Sequence, residues 1–480
     1  MLNSTGGIDL NTTLLVLSII TSYLTFTLLL GVYGYKISKK NVQDYFLASR
    51  KIGPIVLFFT LAATNFSAFT FLGFAGEAYT SGYAFYGIMG FGTSFTALSF
   101  YIIGRKVWLL GKEKGYITPP ELIGGETNSH ALRMMYVAVM VIFTLPYLAV
   151  QPMSAGYVLS ALTNGAIPYF YGAVFLTVFI IVYVFLGGMR TIAWTDVLQG
   201  LMMIFLLLTA VIVLAYNLGG LHAAHEQARS VDPGLFIRSG TISIKIWFSF
   251  SILWSFCNPM FPQLFQRFFI SDSEKSLQRA SIIYPLVTGF LFLLPIMIGV
   301  MGRGAIPGLS AQEADSILPM MLESYAPLWL SALIMSGGFA AFMSTADSQL
   351  LTMSSMFTRD IFHPYVPFDS EDFDYSMGHI MVIVLAVVGL AIAYKPPATI
   401  FTIVTWAFTG LAILYPSTLG VLYWKADSKA CILSISTGLF MLLSYQFKLI
   451  PDFGFLPAIP IVLVSALVLF VSHHLIKSRL

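Results

Sequence analysis

Charged residues are scarce in this chain: Asp, Glu, Lys and Arg make up only 10% of its 480 residues, whereas 57% are hydrophobic and 15% aromatic. Soluble domains carry roughly a quarter of their residues as charged side chains. A mean hydropathy of +0.83 agrees with this scarcity. These proportions exclude a soluble protein of this length and indicate an all-α polytopic membrane protein.

Cysteine and paired histidine are also scarce, which bears on enzymatic function. The two cysteines, Cys257 and Cys431, lie in apolar segments and form no spaced framework for disulfides or thiolate metal sites. The seven histidines are scattered mostly through loops and ends and include no H-x-x-x-H pair. A net charge of +3 offers no basic patch for nucleic acid. We therefore expect neither an enzyme nor a nucleic-acid-binding protein.

Thirteen apolar segments are each long enough to cross the membrane, because a ~30 Å hydrocarbon layer needs roughly 20 helical residues. The predicted spans are 11–34, 54–80, 83–103, 134–160, 168–187, 194–216, 243–269, 280–302, 327–357, 378–395, 399–424, 429–447 and 455–474. With the amino terminus outside, 19 of the 25 Lys and Arg residues fall on the inner side, Arg267 among them. This bias predicts a multi-pass protein of the cell membrane with an outer amino terminus and a cytoplasmic carboxyl terminus. It also leaves no Lys or Arg at mid-membrane depth.

Acidic residues are nearly absent from these spans. Of 22 Asp and Glu residues, only Glu77, Asp196 and Asp347 lie inside them. A carboxylate costs roughly 2.5–3.5 kcal/mol at a helix centre, so acids persist there mostly where they face a pathway or a partner. Asp196 and Asp347 are therefore functional candidates. Glu77 lies near the outer end of its span, where an interfacial role stays equally open.

Two predicted spans are interrupted. The second holds a polar cluster at mid-membrane depth: Thr60, Thr64, Asn65, Ser67 and Thr70. The seventh carries Pro259 and Pro262, which remove two amide donors and predict a broken helix. Interrupted helices at corresponding places in two halves are typical of inverted-repeat transporters with a midplane binding site. Their spacing predicts repeats of five spans, with two ordinary kinked helices as the alternative.

The ninth span is a candidate cation-binding helix. Ala341, Ser344 and Thr345 follow the i, i+3, i+4 pattern, so one carbonyl and two hydroxyls can share one side of the helix. Hard cations prefer oxygen ligands of this kind. One turn onward, Asp347 and Ser348 offer a carboxylate and another hydroxyl. The alternative is that the hydroxyls bond back to carbonyls of their own helix.

Four stretches of the chain resemble the sodium:solute symporter family. They are YFLASRKIGP before the second span, AATNFS within it, GGMRTIAWTDVLQG at 187–200 and AAFMSTADSQLL in the ninth span. The resemblance covers nearly the whole chain and implies a single transporter domain, 1–480, with the leucine-transporter-type fold. Two inverted five-helix repeats would occupy 54–216 and 243–424. One peripheral helix, 11–34, would precede them, and two peripheral helices, within 429–474, would follow.

The resemblance also implies the ligands of a sodium site. The main site would use the carbonyls of Ala63, Phe66 and Ala341 and the hydroxyls of Ser344 and Thr345. A second cation site, built by some members, would use Asp196, Ser344, Asp347 and Ser348. Asp347 departs from the family pattern, which usually has a hydroxyl or a small polar residue there. Three hypotheses stay open: a second sodium between the two aspartates, a protonated Asp347 that couples protons, and an Asp347 without a role in transport.

Solute-binding residues are expected close to the interrupted spans. The candidates are Asn65, Tyr147 and Gln151 and, as the resemblance to proline-carrying members implies, Trp254, Asn258 and Pro262. Proline-carrying members have tyrosine where Asn258 stands, and the P-Y-x-A-x-Q pattern at 146–151 is more similar to the monocarboxylate and pantothenate branches. An apolar and aromatic lining suits a small organic acid or amino acid better than a sugar. Arg50, just inside the second span, is a candidate inner-gate residue, although positive-inside anchoring explains it equally well.

The sequence thus predicts a sodium-coupled secondary active symporter. It would import a monocarboxylate, a pantothenate-like acid or an amino acid by alternating access, with sodium as the co-transported ion. Its expected partners are the solute, sodium and membrane lipid, and it is expected to work as a monomer. Two alternatives are a solute-sensing receptor built on the same fold and proton-coupled transport through Asp347. A channel is disfavoured, because polarity is confined to two broken helices and one partner helix.

Overall fold

A computed structural model describes residues 10–37, 41–237, 242–365, 371–451 and 453–478. Within these ranges the secondary structure is helical apart from one isolated β-bridge between Ile52 and Ser271. Ten of the described helices are long and apolar enough to cross a membrane, or eleven if one bent pair counts as a single span. The all-α polytopic class is confirmed. The number of thirteen spans and the five-plus-five repeat stay predictions.

The first half of the chain contains nine named helices. They are α1 (Leu10–Ile37), α2 (Val42–Leu47), α3 (Pro54–Asn65), α4 (Phe74–Ser81), α5 (Ala84–Lys114), α6 (Pro119–Thr127), α7 (His130–Leu162), α8 (Tyr169–Asn217) and α9 (Leu221–Val231). Pro54 starts α3, where the helix needs no amide donor. Thr118 and Glu121 form a capping box at the start of α6, and Ser129 caps α7. Local sequence therefore sets several helix starts.

The second half continues with α10 to α20. They are α10 (Ile244–Cys257), α11 (Pro262–Ile270), α12 (Glu274–Ala305), α13 (Ala311–Ala314), α14 (Ile317–Tyr325), α15 (Leu328–Met356), α16 (Glu371–Ala393), α17 (Ile400–Ala412), α18 (Leu414–Trp424), α19 (Ser428–Gln446) and α20 (Ala458–Lys477). Side-chain oxygens of Ser243, Ser273 and Asp427 cap α10, α12 and α19.

Both predicted interruptions are real breaks. In the second span, the non-helical Phe66 and Ser67 follow α3, and a π-helical turn, Phe69–Gly73, leads into α4. The segments Pro54–Asn65 and Phe69–Ser81 are bent by 61°. In the seventh span, a 3₁₀ turn, Asn258–Met260, and an extended Phe261 separate α10 from α11. The ninth span, α15, packs along α7 and α8 and contacts both α3 and α11. It therefore lies against one half of each broken helix, α3 and α11.

A sharp corner joins the predicted spans 168–187 and 194–216, which both fall within α8. Gly188 leaves helical geometry there with φ 57° and ψ −172°. A Cβ at this position would lie 2.7 Å from Tyr45 Cδ2 and 2.9 Å from the Tyr45 carbonyl oxygen, so only glycine fits. Beside the corner, Arg190 forms a 2.5 Å ion pair with the buried carboxylate of Asp44. The corner and this ion pair thus hold α2 against the middle of α8.

Candidate functional site

The unwound backbone after α3 is held by side chains instead of helical hydrogen bonds. Phe66, the first residue beyond α3, is extended with φ −82° and ψ 93°. Two residues on, the Ala68 amide donates to Gln151 Oε1 over 3.1 Å. The Phe69 amide donates to Ser67 Oγ, also over 3.1 Å. Because these amides are satisfied by side chains, the break persists without leaving them unpaired in a buried environment.

Three of the five predicted sodium ligands meet where α3 approaches α15. Ser344 Oγ lies 2.9 Å from the Ala63 carbonyl oxygen and 3.1 Å from the Ala341 carbonyl oxygen. The Thr345 hydroxyl lies 3.1 Å from the carbonyl oxygen of Thr64, the next residue along α3. The five residues in these contacts are fully buried: Ala63, Thr64, Ala341, Ser344 and Thr345. The cluster therefore brings together three carbonyls and two hydroxyls, all of them neutral oxygens.

Phe66 is the predicted ligand that no described contact ties to α15. Its side chain is buried and packs edge to face on Phe292, with 5.5 Å between ring centroids. The extended backbone frees its carbonyl from the helical direction of α3. Its role as a sodium ligand stays a prediction.

A charged cluster lies beside these oxygens. Arg267 donates from Nε to Thr60 Oγ1 over 3.2 Å and from Nη2 to Ser348 Oγ over 2.6 Å. The same Nη2 lies 3.6 Å from Asp196 Oδ2, which also accepts a 2.5 Å hydrogen bond from Thr60. The Ser348 hydroxyl lies 3.1 Å from Asp347 Oδ1. All five side chains are fully buried. Two carboxylates and one guanidinium thus share one enclosed site.

The predicted second cation site is therefore only partly assembled from its expected members. Asp196, Asp347 and Ser348 gather around Arg267. The Ser344 hydroxyl instead faces the Ala63 carbonyl, and only its own carbonyl reaches this cluster, by accepting a 2.7 Å hydrogen bond from Ser348. Ser344 separates the two sets of oxygens along α15.

The expectation that Arg267 lies in an inner loop is wrong. Its side chain is 0% exposed and reaches α3, α8 and α15. The reason is that α11 begins at Pro262, so Arg267 lies only about 7.5 Å along the helix from the break at ~1.5 Å per residue. The signal was present in FQRFFI, where three apolar residues follow the single charge and Phe265 lies two residues before it. Arg267 is the main site residue that the sequence reading missed.

Tyr147, Gln151 and Trp254 surround the break on its other side. The Tyr147 hydroxyl donates to Ser67 Oγ over 2.9 Å, and Gln151 Nε2 donates to the Tyr147 carbonyl over 3.1 Å. The rings of Tyr147 and Trp254 each pack 5.1 Å from that of Phe408. These three predicted solute residues therefore belong to one buried aromatic cluster that touches the unwound backbone.

The other three solute candidates make different contacts. Asn65 donates to the Tyr284 hydroxyl on α12 over 2.5 Å, and Asn258 donates to Thr96 Oγ1 on α5 over 3.1 Å. Pro262 is buried and begins α11. The described contacts assign the two amide side chains to interhelical bonds and do not join them to the aromatic cluster.

Arg50 links several elements close to the start of α3. Its guanidinium donates over 3.2 Å to the carbonyl of Phe269, near the end of α11, and over 2.6 Å to the carbonyl of Tyr116, before α6. The amide of Ile52 donates to the Ile270 carbonyl over 3.1 Å in the same region. These hydrogen-bond acceptors are all main-chain carbonyls. Together they tie the entry of α3 to the exit of α11.

Comparison of the sequence with models of protein families shows which family the chain belongs to. The model of the Sodium:solute symporter family matches residues 45–435, which is most of the chain. The chain belongs to this family. Sodium is accordingly its co-transported ion, and the expectation that the chain is not an enzyme is confirmed, because its relatives are transporters.

Curated sodium:solute symporters match along nearly their whole length. The sodium/pantothenate symporter of Haemophilus influenzae is 27% identical over 427 residues, which cover 87% of each chain. The sodium/proline symporter of Staphylococcus aureus is 25% identical over 476 residues, which cover 95% of this chain and 92% of the relative. A solved structure of a Na+-coupled sialic acid symporter, in a substrate-bound outward-open state, superimposes with a TM-score of 0.82. At 19% identity, over 96% of this chain and 97% of that one, it shows the shared fold.

Proposed function

We propose that this sodium:solute symporter imports a small organic solute, namely a monocarboxylate, a pantothenate-like acid or an amino acid, by alternating access. The observation that carries the proposal is the contact of Ser344 on α15 with the Ala63 carbonyl on α3. It brings oxygens from a broken helix and a continuous helix within reach of one ion. Sodium would bind to Ala63, Phe66, Ala341, Ser344 and Thr345.

Coupling follows from the position of the break. The proposed ion ligands of the second span end at Phe66, and the Ala68 amide just beyond it is held by Gln151 of the aromatic cluster. An ion that fixes the end of α3 against α15 therefore also orders the backbone beside the solute residues. Each ligand would then raise the affinity for the other, as linkage requires. Since each charge moved inward gains about 2.3 kcal/mol per 100 mV, the membrane potential drives import.

The inner contacts of Arg50 support its proposed role as an inner gate. They close the space between the entry of α3 and the exit of α11. Opening to the cytoplasm requires these two inner half-helices to separate, which breaks both hydrogen bonds of the guanidinium. Sodium and solute would then leave through the gap.

The character of the aromatic cluster supports a small acid or amino acid. Trp254 packs against Phe408 and Phe250, and Tyr147 against Phe261, so apolar surface dominates. Among the described residues, Trp254 Nε1 is a buried donor without a hydrogen-bond partner. An oxygen atom of the solute would satisfy this donor. Many hydroxyl partners, as a sugar needs, are absent from these described contacts.

Topology, assembly and ion choice are part of the same proposal. The charge bias of the loops supports an outer amino terminus and a cytoplasmic carboxyl terminus in the cell membrane. We propose that the protein acts as a monomer surrounded by lipid. The second cation site and proton coupling through Asp347 stay predictions that ion counting and the pH dependence of uptake would test.

The decisive experiment uses purified protein in proteoliposomes. Small carboxylates and amino acids are screened by thermal shift with sodium chloride or choline chloride, and each stabilising compound is then tested for accumulation against its gradient. Stabilisation and accumulation that both require sodium support the proposal. Sodium-independent binding without accumulation would favour the receptor alternative, and accumulation driven by a pH gradient alone would favour proton coupling.

A further inference from the structure

Arg267 is the one Lys or Arg in the described parts of the chain whose side chain is fully buried. It projects from α11, the inner half of the broken seventh span, into the space between α3, α8 and α15. Burying a guanidinium is costly unless it is paired and hydrogen-bonded. Here it has both a carboxylate and two hydroxyls as partners, so the positive charge is held in place.

The position of the guanidinium coincides with the predicted second cation site. Nη2 lies 2.6 Å from Ser348 Oγ and 3.6 Å from Asp196 Oδ2, and both oxygens were expected to ligate a second ion. Arg267 Nε donates a hydrogen bond to the Thr60 hydroxyl, and this hydroxyl donates to Asp196 Oδ2. A sodium ion seated on these oxygens would have to displace the guanidinium or lie directly beside its positive charge.

Charge separates this cluster from the oxygens around Ser344. The Ser344 cluster consists of carbonyls and hydroxyls, so its bound sodium supplies the only full charge there. The neighbouring cluster already contains a cation, which is covalently attached and cannot leave when the protein opens inward. The positive charge of Arg267 compensates the negative charge of Asp196. Without Arg267, a second sodium ion would have to supply this compensation.

We propose that the guanidinium of Arg267 is a tethered cation that takes the place of a second co-transported sodium, so that this symporter binds and moves one sodium per cycle. The inference rests on the proposed sodium site at Ser344. It concerns the stoichiometry of coupling, which the family membership leaves open.

Unpartnered atoms around the guanidinium make this proposal testable. Asp196 Oδ1, Asp347 Oδ2 and Arg267 Nη1 are buried and have no hydrogen-bond partner among the described residues. Removing the positive charge would leave two carboxylates next to the hydroxyls of Ser348 and Thr60. Oxygen sets of this kind bind a hard cation. Arg267→Gln should therefore create the second sodium site that the wild-type protein lacks.

The test counts sodium ions bound to the purified full-length protein, with radioactive sodium alone as the probe and choline as the replacement cation. A second measurement follows the melting temperature against the logarithm of sodium concentration, whose limiting slope rises with the number of bound ions. We expect one ion per chain for the wild type and two for Arg267→Gln, with the slope about doubled. Arg267→Lys, which keeps the charge, and Asp347→Asn, which keeps the guanidinium, should each bind one.

The double variant Arg267→Gln/Asp347→Asn removes one of the two carboxylates that Arg267→Gln leaves uncompensated and should return the count to one. Two ions bound to the wild type would overturn the proposal even if Arg267→Gln does not fold. One ion bound to a folded Arg267→Gln would overturn it as well. No sodium bound to the wild type is a different result, because it would remove the proposed Ser344 site and the premise with it.

Discussion

Replacing Ser344 with alanine removes the hydroxyl at which α3 and α15 meet. This oxygen lies 2.9 Å from the Ala63 carbonyl and 3.1 Å from the Ala341 carbonyl, in a fully buried position. Alanine suits the helix at least as well as serine, so α15 should form normally. The variant therefore isolates the contribution of one of the five proposed ligands to sodium binding.

The expected loss is that of one charge-assisted interaction. Such interactions contribute about 1.5–3 kcal/mol net. Sodium affinity should then fall roughly 10- to 150-fold. Through linkage, the apparent solute affinity measured at limiting sodium should fall with it, whereas saturating sodium should restore most of it.

Sodium titrations of binding and uptake measure this loss, and Ser354→Ala is the matched control. Ser354 is also buried in α15, but its hydroxyl bonds back to the Leu351 carbonyl of its own helix over 2.8 Å. Its removal should leave the sodium affinity unchanged. Wild-type sodium affinity in Ser344→Ala, or an equal loss in both variants, would refute the assignment of Ser344 as a ligand.

Three further predictions test other parts of the molecule. Gln151→Leu removes the side chain that holds the unwound backbone after α3, so the solute affinity in uptake assays should fall by about 1–3 kcal/mol; unchanged uptake would contradict the role of Gln151. Gly188→Ala forces a side chain into a backbone with φ 57° and should lower stability by ~1–3 kcal/mol, seen as a lower melting temperature, whereas Gly289→Ala, with open space at its Cβ, should not. Burial raises the pKa of Asp315, in the loop between α13 and α14, from 3.8 to about 7. Its neutral form is therefore favoured on folding, and this stabilisation, complete below about pH 4, is lost as pH rises through about 7. The melting temperature should thus decline from roughly pH 5 to 8 in the wild type and decline less in Asp315→Asn, with the exposed Glu313→Gln as control; equal declines in all three would count against it.

Much of the fold was predictable because membrane insertion depends on local composition. Long apolar segments identify helices, and the polar cluster of the second span and the prolines of the seventh mark the breaks that the structure contains. The spacing of Ala341, Ser344 and Thr345 was informative for the same reason, since residues three and four apart on one helix must share a side. These features can be predicted from the sequence without knowing which helices pack against each other.

The contacts of individual side chains depended on tertiary packing. Thr345 faces the Thr64 carbonyl, and Asn65 reaches Tyr284 on α12 instead of the aromatic cluster. Each contact depends on how one helix is rotated and shifted against another that lies hundreds of residues away in the chain. No local pattern encodes that register.

Arg267 shows most clearly the difference between what the sequence predicts and what tertiary packing decides. Its sequence position near the end of a predicted span is compatible both with an inner loop and with the interior, and charge counting favoured the loop. Only the short α11, which starts at Pro262 and packs against α3 and α15, directs the guanidinium towards Asp196 and Ser348. The sequence by itself determined the membrane class, the family and the helix on which a carbonyl and two hydroxyls share one side. The tertiary structure decided which charge lies beside them, because the buried pair of Arg267 and Asp196 joins two different helices, α11 and α8.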